Sequence, residues 1–220
     1  MNRKLLAVLC AVLLLAAAGP VSAEILGFDL SRQIKQEDAI PDTYCDLKIG
    51  DDTILDLTYR DVVDFGDALD ADDLRFQTPN YGDLSDVAYG GLFPTYSVGE
   101  IRFQGMTVGG QQYGARLTSF DLAGFDGYDQ YEVDIKVYDE NWNVLAYWDN
   151  QTIDGEFHNS FTLDPAVSSS ALVLQWSTPW YVGIDNVVYD AVVVPEPATL
   201  IGWVIGLGCL GYVAYRRRVR

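Results

Sequence analysis

The stretch Tyr131-Glu132-Val133-Asp134-Ile135-Lys136-Val137 alternates apolar and polar residues without a break. Successive side chains of a strand point to opposite faces, so this run predicts a half-buried β-strand. Residues 139–143 read as a turn-rich loop, and 144–148 return as the hairpin partner. Phe157, Phe161 and Leu163 then share one face of a further strand. Residues 171–176, apolar but for Gln175 and bounded by three serines and Pro179, have the pattern of a central strand. Residues 182–189 close the set. Strands recurring with turn signals between them predict an all-β, antiparallel β-sandwich, with a jelly roll as the preferred version.

Upstream the pattern is less regular. Residues 53–58 and 99–103 read as strands. Between them the aspartate-dense segment 61–73 carries Val62, Val63, Phe65, Leu69 and Leu74, and reads either as a short helix or as a long loop. Residues 81–94, rich in Gly and Tyr, read as loop. The chain has no exact internal repeat, and the body runs almost directly into the C-terminal segment.

Both ends carry export signals. Arg3 and Lys4 precede the apolar run 5–18, and Val21-Ser22-Ala23 presents small residues before Glu24, the pattern of a secretory signal peptide cut between Ala23 and Glu24 by signal peptidase. Leu9 before Cys10 is bulkier than the residue a lipid-attachment site needs. At the other end, Pro195, Glu196 and Pro197 precede residues 198–215, which contain no charge, and then Arg216, Arg217 and Arg218. Eighteen residues at 1.5 Å rise give a helix of roughly 27 Å, enough to span a hydrocarbon core. The arginines favour the cytoplasmic side. The reading is a signal peptide at 1–23, an ectodomain at 24–194, and an anchor-like tail at 195–220.

The ectodomain holds 31 of the 32 acidic residues and 8 of the 14 basic ones, a formal charge of −23. Such a chain repels nucleic acid and anionic lipid. It suits a hydrated extracellular setting or divalent cations. Cys45 is its one cysteine, so no internal disulfide forms and the fold stands on its core. Cys45 is read as a buried thiol or as one half of an intermolecular bridge.

Catalytic signatures are missing. His158 is the sole histidine, and its alternation with Phe157 and Phe161 places it on a polar strand face beside Ser160 and Thr162. The chain lacks a nucleophile elbow, a His-Glu-x-x-His helix, a phosphate loop and Cys–His zinc spacing. Paired carboxylates could hydrolyse a glycoside, but among so many acids their presence carries no information. Calcium takes six to eight oxygen ligands, and Asp64, Asp67, Asp70, Asp72 and Asp73, or Asp126 and Asp129 around Gly127, are candidate ligands; the bland alternative is a solvated acidic loop. Apolar faces of sugar rings stack on exposed aromatic rings while carboxylates accept hydroxyl hydrogens. Trp142, between Asn141 and Asn143 in a turn, and Trp180 with Tyr181 after Pro179, are the candidate platforms. The alternative is that these rings fold back over the sandwich edge.

The tail as a whole resembles the PEP-CTERM sorting signal of Gram-negative bacteria. Val194-Pro195-Glu196-Pro197, Ala198-Thr199-Leu200, a glycine-rich span and the arginine cluster stand in order at the C-terminus. In proteins it resembles, exosortase recognises and processes the tail, and an inner-membrane-anchored precursor yields a body at the cell surface or in the exopolysaccharide matrix. The resemblance extends loosely to residues 119–125 and 183–188, which look like the β-rich cargo of such tails. The expectation is an exported, non-catalytic protein associating with polysaccharide. A secreted carbohydrate-active enzyme and a structural protein assembling through an exposed strand edge are the alternatives.

Overall fold

The computed structural model describes residues 23–30, 33, 35–78, 80–91, 97–127 and 129–194. The sorting residues Pro195, Glu196, Pro197, Arg216, Arg217 and Arg218, and residues 1–22 of the expected signal peptide, lie outside them. Among the described residues no helix is long and apolar enough to cross a membrane.

The described strands are, in chain order, β1 (Glu24–Leu26), β2 (Leu47–Ile49), β3 (Asp52–Val62), β4 (Asp70–Gln77), β5 (Val87–Gly90), β6 (Val98–Gly105), β7 (Thr107–Val108), β8 (Gln111–Gly124), β9 (Gln130–Asp139), β10 (Val144–Asp154), β11 (Asn159–Ser169), β12 (Ala171–Ser177) and β13 (Val182–Val193). All pair antiparallel. The alternating run lies in β9, where Val133, Ile135 and Val137 are buried.

One layer has the order β10-β9-β12-β6-β3 and the other β5-β13-β8-β11; β4 pairs with both β3 and β5 and joins them. From β5 onward the chain changes layer at each connection except the β9–β10 hairpin and the short β7. This is the strand order of a jelly-roll-like sandwich. On the open side, β10 and β11 meet through side chains without a ladder, the Trp148 and Phe161 rings lying 5.5 Å apart.

The core sits between the layers. Leu172, Leu174 and Trp176 of β12 face inward with Ile101 and Phe103 of β6, and across from them stand Phe120 and Leu122 of β8 and Tyr189 of β13. Phe103 meets Tyr189 at 5.3 Å and Phe120 meets Trp148 at 5.8 Å. The buried Trp176 indole donates to the Val182 carbonyl at 2.9 Å, which satisfies its one polar atom. A Cβ at residue 99 would stand 2.5 Å from the Trp176 ring, so that position needs glycine. Three tyrosine hydroxyls tie the N-terminal segment to the sandwich, donating from Tyr44 to Gly27, from Tyr59 to Tyr44 and from Tyr189 to Cys45. Cys45 is a half-buried free thiol at a positive φ of 59°.

Three sequence expectations are corrected. Segment 61–73 is neither helix nor long loop: β3 runs to Val62, β4 begins at Asp70, and Arg60 pairs with Asp73 across the hairpin. Asp61 sits on β3, and Asp70, Asp72 and Asp73 sit on β4, whose inward positions Leu74 and Phe76 are buried, while Asp64 and Asp67 lie in the connecting loop. Segment 81–94 contains β5, all four residues of which are buried. There Gly90 leaves room for Pro179, which lies 2.6 Å from where a Cβ of residue 90 would stand. Phe157 does not share the strand of Phe161 and Leu163. It precedes β11 and is exposed, and His158 sits with it in the loop.

Candidate functional site

Strand alternation builds the outer face of the β3-β6-β12-β9-β10 layer. Because Ile101 and Phe103 point inward, Glu100, Arg102 and Gln104 point out; the same logic puts Val173 and Gln175, Lys136 and Tyr138 on that face. Register aligns them in cross-strand rows. One runs Arg60, Glu100, Gln175, Lys136, Tyr147, and the next runs Thr58, Arg102, Val173, Tyr138.

The hairpin loop 63–69 folds over the first row. Gly66 donates to Gln175 Oε1 at 2.8 Å and accepts from Gln175 Nε2 at 2.9 Å. Gln175 Nε2 also donates to Glu100 Oε2 at 2.6 Å, and Glu100 Oε1 accepts from Arg60 Nε at 2.9 Å and from Arg60 Nη2. Glu100 and Gln175 are consequently fully buried although they point away from the core. The Phe65 ring lies 4.4 Å from Lys136 Nζ, a cation–π contact.

The β9–β10 turn overhangs the second row, in which Val173 and Tyr138 are buried and Thr58 and Arg102 half-buried. Asp139 Oδ1 accepts from the backbones of Asn141 and Asn143 at 2.8 and 2.9 Å, and Oδ2 accepts from the Asn143 amide at 2.8 Å. This cage fixes Trp142 at a φ of 62°. The Trp142 ring turns back over the sheet, edge-on to Tyr138 at 5.5 Å and stacked with the Arg102 guanidinium at 5.2 Å. Between Trp142 and the sheet lies a cleft of about 70 Å³ bordered by Arg102, Gln104, Asp139, Glu140 and Val173. Pockets that enclose a small molecule run ~300–1,000 Å³. This cleft therefore fits a part of a ligand lying on the surface, not an engulfed one.

The two carboxylates there are hydrogen-bond acceptors. The Asn143 amide holds Asp139 below the usual carboxylate range, and the Ser169 hydroxyl does the same for Glu140. General-acid cleavage of a glycoside needs a carboxyl pushed the other way. What the cleft offers is an indole face, a guanidinium and acceptor oxygens.

The sequence-selected aromatic residues do not converge. Trp142 follows the end of β9, whereas Tyr181 stacks on Tyr131 near its start at 5.3 Å, and Trp180 packs edge-on to Tyr89 at 5.7 Å. Tyr131 and Asp139 stand eight residue steps apart along β9, roughly 27 Å. Trp180 belongs to a satellite apolar cluster with Tyr81 and Val87. Among the acids, Asp64 and Asp67 lie in loop 63–69, Asp72 pairs with Arg75 at 3.0 Å, and the backbone of Asp73 donates to Asp72. The Asp70 side chain lies outside the described ones. Among the described residues no three His, Cys, Asp or Glu side chains are grouped to hold a metal ion.

Sequence reasoning missed Arg102 and Gln104, which reach the cleft only through the pairing of β6 with β12. It also missed a polar cluster on the opposite layer. His158 Nδ1 meets Asp83 at 2.8 Å, His158 Nε2 lies 4.0 Å from Asp121, and Asn186 donates to Asp121 at 2.9 Å. These residues come from four separate segments, so no local motif announces them.

No family model and no curated protein matches this chain. Among solved structures, it overlaps discoidin II of Dictyostelium discoideum at 11% identity over 56% of this chain and 55% of that one, with a TM-score of 0.27. It overlaps the enzymatically active domain of tailspike protein 4 of bacteriophage CBA120 at 14% identity over 63% and 19%, with a TM-score of 0.29. It overlaps the isomalto-dextranase of Arthrobacter globiformis complexed with panose at 9% identity over 61% and 23%, with a TM-score of 0.27. The chain thus spans about half the length of discoidin II and about a fifth of the other two, and overlaps of this size assign neither family nor activity.

Proposed function

We propose that this chain is an exported, non-catalytic protein of the PEP-CTERM type, processed by exosortase, whose Trp142 cleft associates with exopolysaccharide at the cell surface or in the matrix. The observation that carries the binding part is the indole of Trp142 held over Arg102 with Asp139 and Glu140 at its border. An apolar ring beside acceptor oxygens suits the C–H face and the hydroxyls of a sugar in a polymer lying across the sheet. Both carboxylates are held as acceptors, which favours binding over hydrolysis. The delivery part rests on the tail sequence alone.

A glycan array probed with the full chain, with and without calcium, tests the binding reading. Trp142→Ala is expected to weaken the retained glycan about tenfold, some 1.4 kcal/mol, with folding intact. Retention unchanged in that variant moves the site elsewhere, and retention of no glycan defeats the reading. For delivery, replacing Pro195, Glu196 and Pro197 together by alanine is expected to leave the precursor in the membrane fraction. Release at the normal rate speaks against exosortase recognition.

A second reading has its own observation. β10 ends the strand order, and Val144, Leu145 and Tyr147 are exposed along it beside a groove of about 440 Å³ toward β11. An unpaired edge of this kind is a template for strand addition. Self-association without glycan retention is the result that favours it.

A further inference from the structure

Loop 63–69 does more than clasp Gln175. At its other side, near the start of β6 and the end of β12, lies a cavity of about 320 Å³ walled by Val63, Asp64, Phe65, Ser97, Val98 and Thr178. Its volume reaches the range of pockets that enclose a small molecule, which the Trp142 cleft does not.

Ser177 also lines it and accepts from the Asp134 N–H at 2.9 Å, and Asp64 accepts from the Phe65 N–H at 2.7 Å, but two hydroxyls of the lining residues are unsatisfied. Ser97 is 4% exposed, and its Oγ has no hydrogen-bond partner among the described residues; Thr178 Oγ1 is likewise shielded and without a partner there. A buried hydroxyl left unpaired costs about 1–3 kcal/mol, so two lining one cavity are a feature that folding alone does not favour. Thr178 also holds a φ of 54°, an outlier for a β-branched residue. The Thr178 carbonyl keeps it there by accepting from Tyr181 and Val182, both at 3.0 Å. Strain of this kind gathers at ligand clamps.

We infer that this cavity binds a single neutral sugar ring. Phe65, Val63 and Val98 provide an apolar wall for the C–H face. Asp64 accepts a sugar hydroxyl hydrogen, and Ser97 and Thr178 each both donate and accept after a rotation about one side-chain bond. Asp64 is the charged side chain in its described lining, which disfavours an anionic ligand. The site stands apart from the Trp142 cleft and does not depend on it.

Methyl NMR of Val63 and Val98 in the full chain tests this, with glucose, galactose, mannose, glucosamine and glucuronate as probes at millimolar concentration. At least one neutral hexose is expected to shift both valines saturably. Ser97→Ala should weaken that response about tenfold while holding or raising Tm, since it deletes an unpaired hydroxyl. Thr178→Gly removes the second hydroxyl and relaxes the backbone, and should also weaken binding with the fold retained. Trp142→Ala should leave the valine response intact, which separates this site from the proposed cleft. No shift with any neutral hexose, a response to the charged sugars alone, or a response unchanged in both Ser97→Ala and Thr178→Gly overturns the inference.

Discussion

Glu100→Ala is expected to destabilise the protein by about 3 kcal/mol, toward the lower end of what breaking a buried ion pair costs. Glu100 has no exposed surface, and its two oxygens divide between Arg60 and the Gln175 amide. Deleting the carboxylate leaves Arg60 without its counter-ion, Gln175 with Gly66 as its one remaining acceptor and a cavity between β3 and β12. Arg60 keeps 25% of its side chain exposed and can turn partly to water, which places the cost near ~3 and not ~5 kcal/mol. Urea denaturation reads it directly. Arg60→Leu combined with Glu100→Leu should recover most of the loss, because a buried pair replaced whole by apolar residues is often close to neutral. A single-variant cost under about 1 kcal/mol would mean that Glu100 is not an obligatory anion there. The same variant reaches function through Gln175. That amide carries both hydrogen bonds to Gly66, so loop 63–69 should exchange its amides faster, and the Phe65 cavity should loosen with it.

How far the fold could be read from the chain depends on whether one strand face is uniformly apolar. In β9 it is, and in β12 and β13 the inward residues are apolar throughout, so the second half was legible. In β3 and β4 it is not. Asp61 is buried, and the five aspartates among the next twelve residues read as loop or helix until the register pairs Asp61 with Asp72. β5 is four residues long and ends in glycine, too short for any period to register. The site divides the same way. Trp142 was visible because a tryptophan between two asparagines in a turn is hard to bury. Its return over the sheet was visible only as an alternative, because the Asp139 cage that turns it back needs coordinates. Arg102 lies on a strand whose neighbours β3 and β12 are far along the chain on either side, and His158 finds Asp83 across 75 residues. Such pairings are set by topology, not by local pattern. Trp180 and Tyr181 looked equivalent to Trp142 in sequence, yet their turn faces the satellite cluster around Tyr81.

Asp185→Asn is expected to stabilise the protein near neutral pH by about 1–3 kcal/mol, a gain that vanishes in acid. Asp185 lies on β13 opposite Asp121 and is 6% exposed. Burial pushes its carboxyl from 3.8 up to about 6; the Asn186 and Phe28 N–H groups oppose that rise, and Asp86 and Asp121 add to it. The folded chain therefore binds this proton more tightly than the unfolded chain does. Between about pH 4 and pH 6 the folded state holds the extra proton, so stability falls as pH rises through that window and is flat above it. Two units correspond to about 3 kcal/mol of cost in the ionised form, a net figure that already includes the hydrogen bonds from Asn186 and Phe28. Asparagine keeps the shape and an acceptor for Phe28 without the charge. Denaturation series of both proteins from pH 4 to pH 8 should give a difference near zero at the acid end that grows to its plateau above about pH 6. Carboxylates held low, such as Asp139 and Glu140, tilt the stability of both proteins alike and cancel in that difference. A difference independent of pH would show that Asp185 titrates like an exposed acid and that water reaches the strand pair β8–β13.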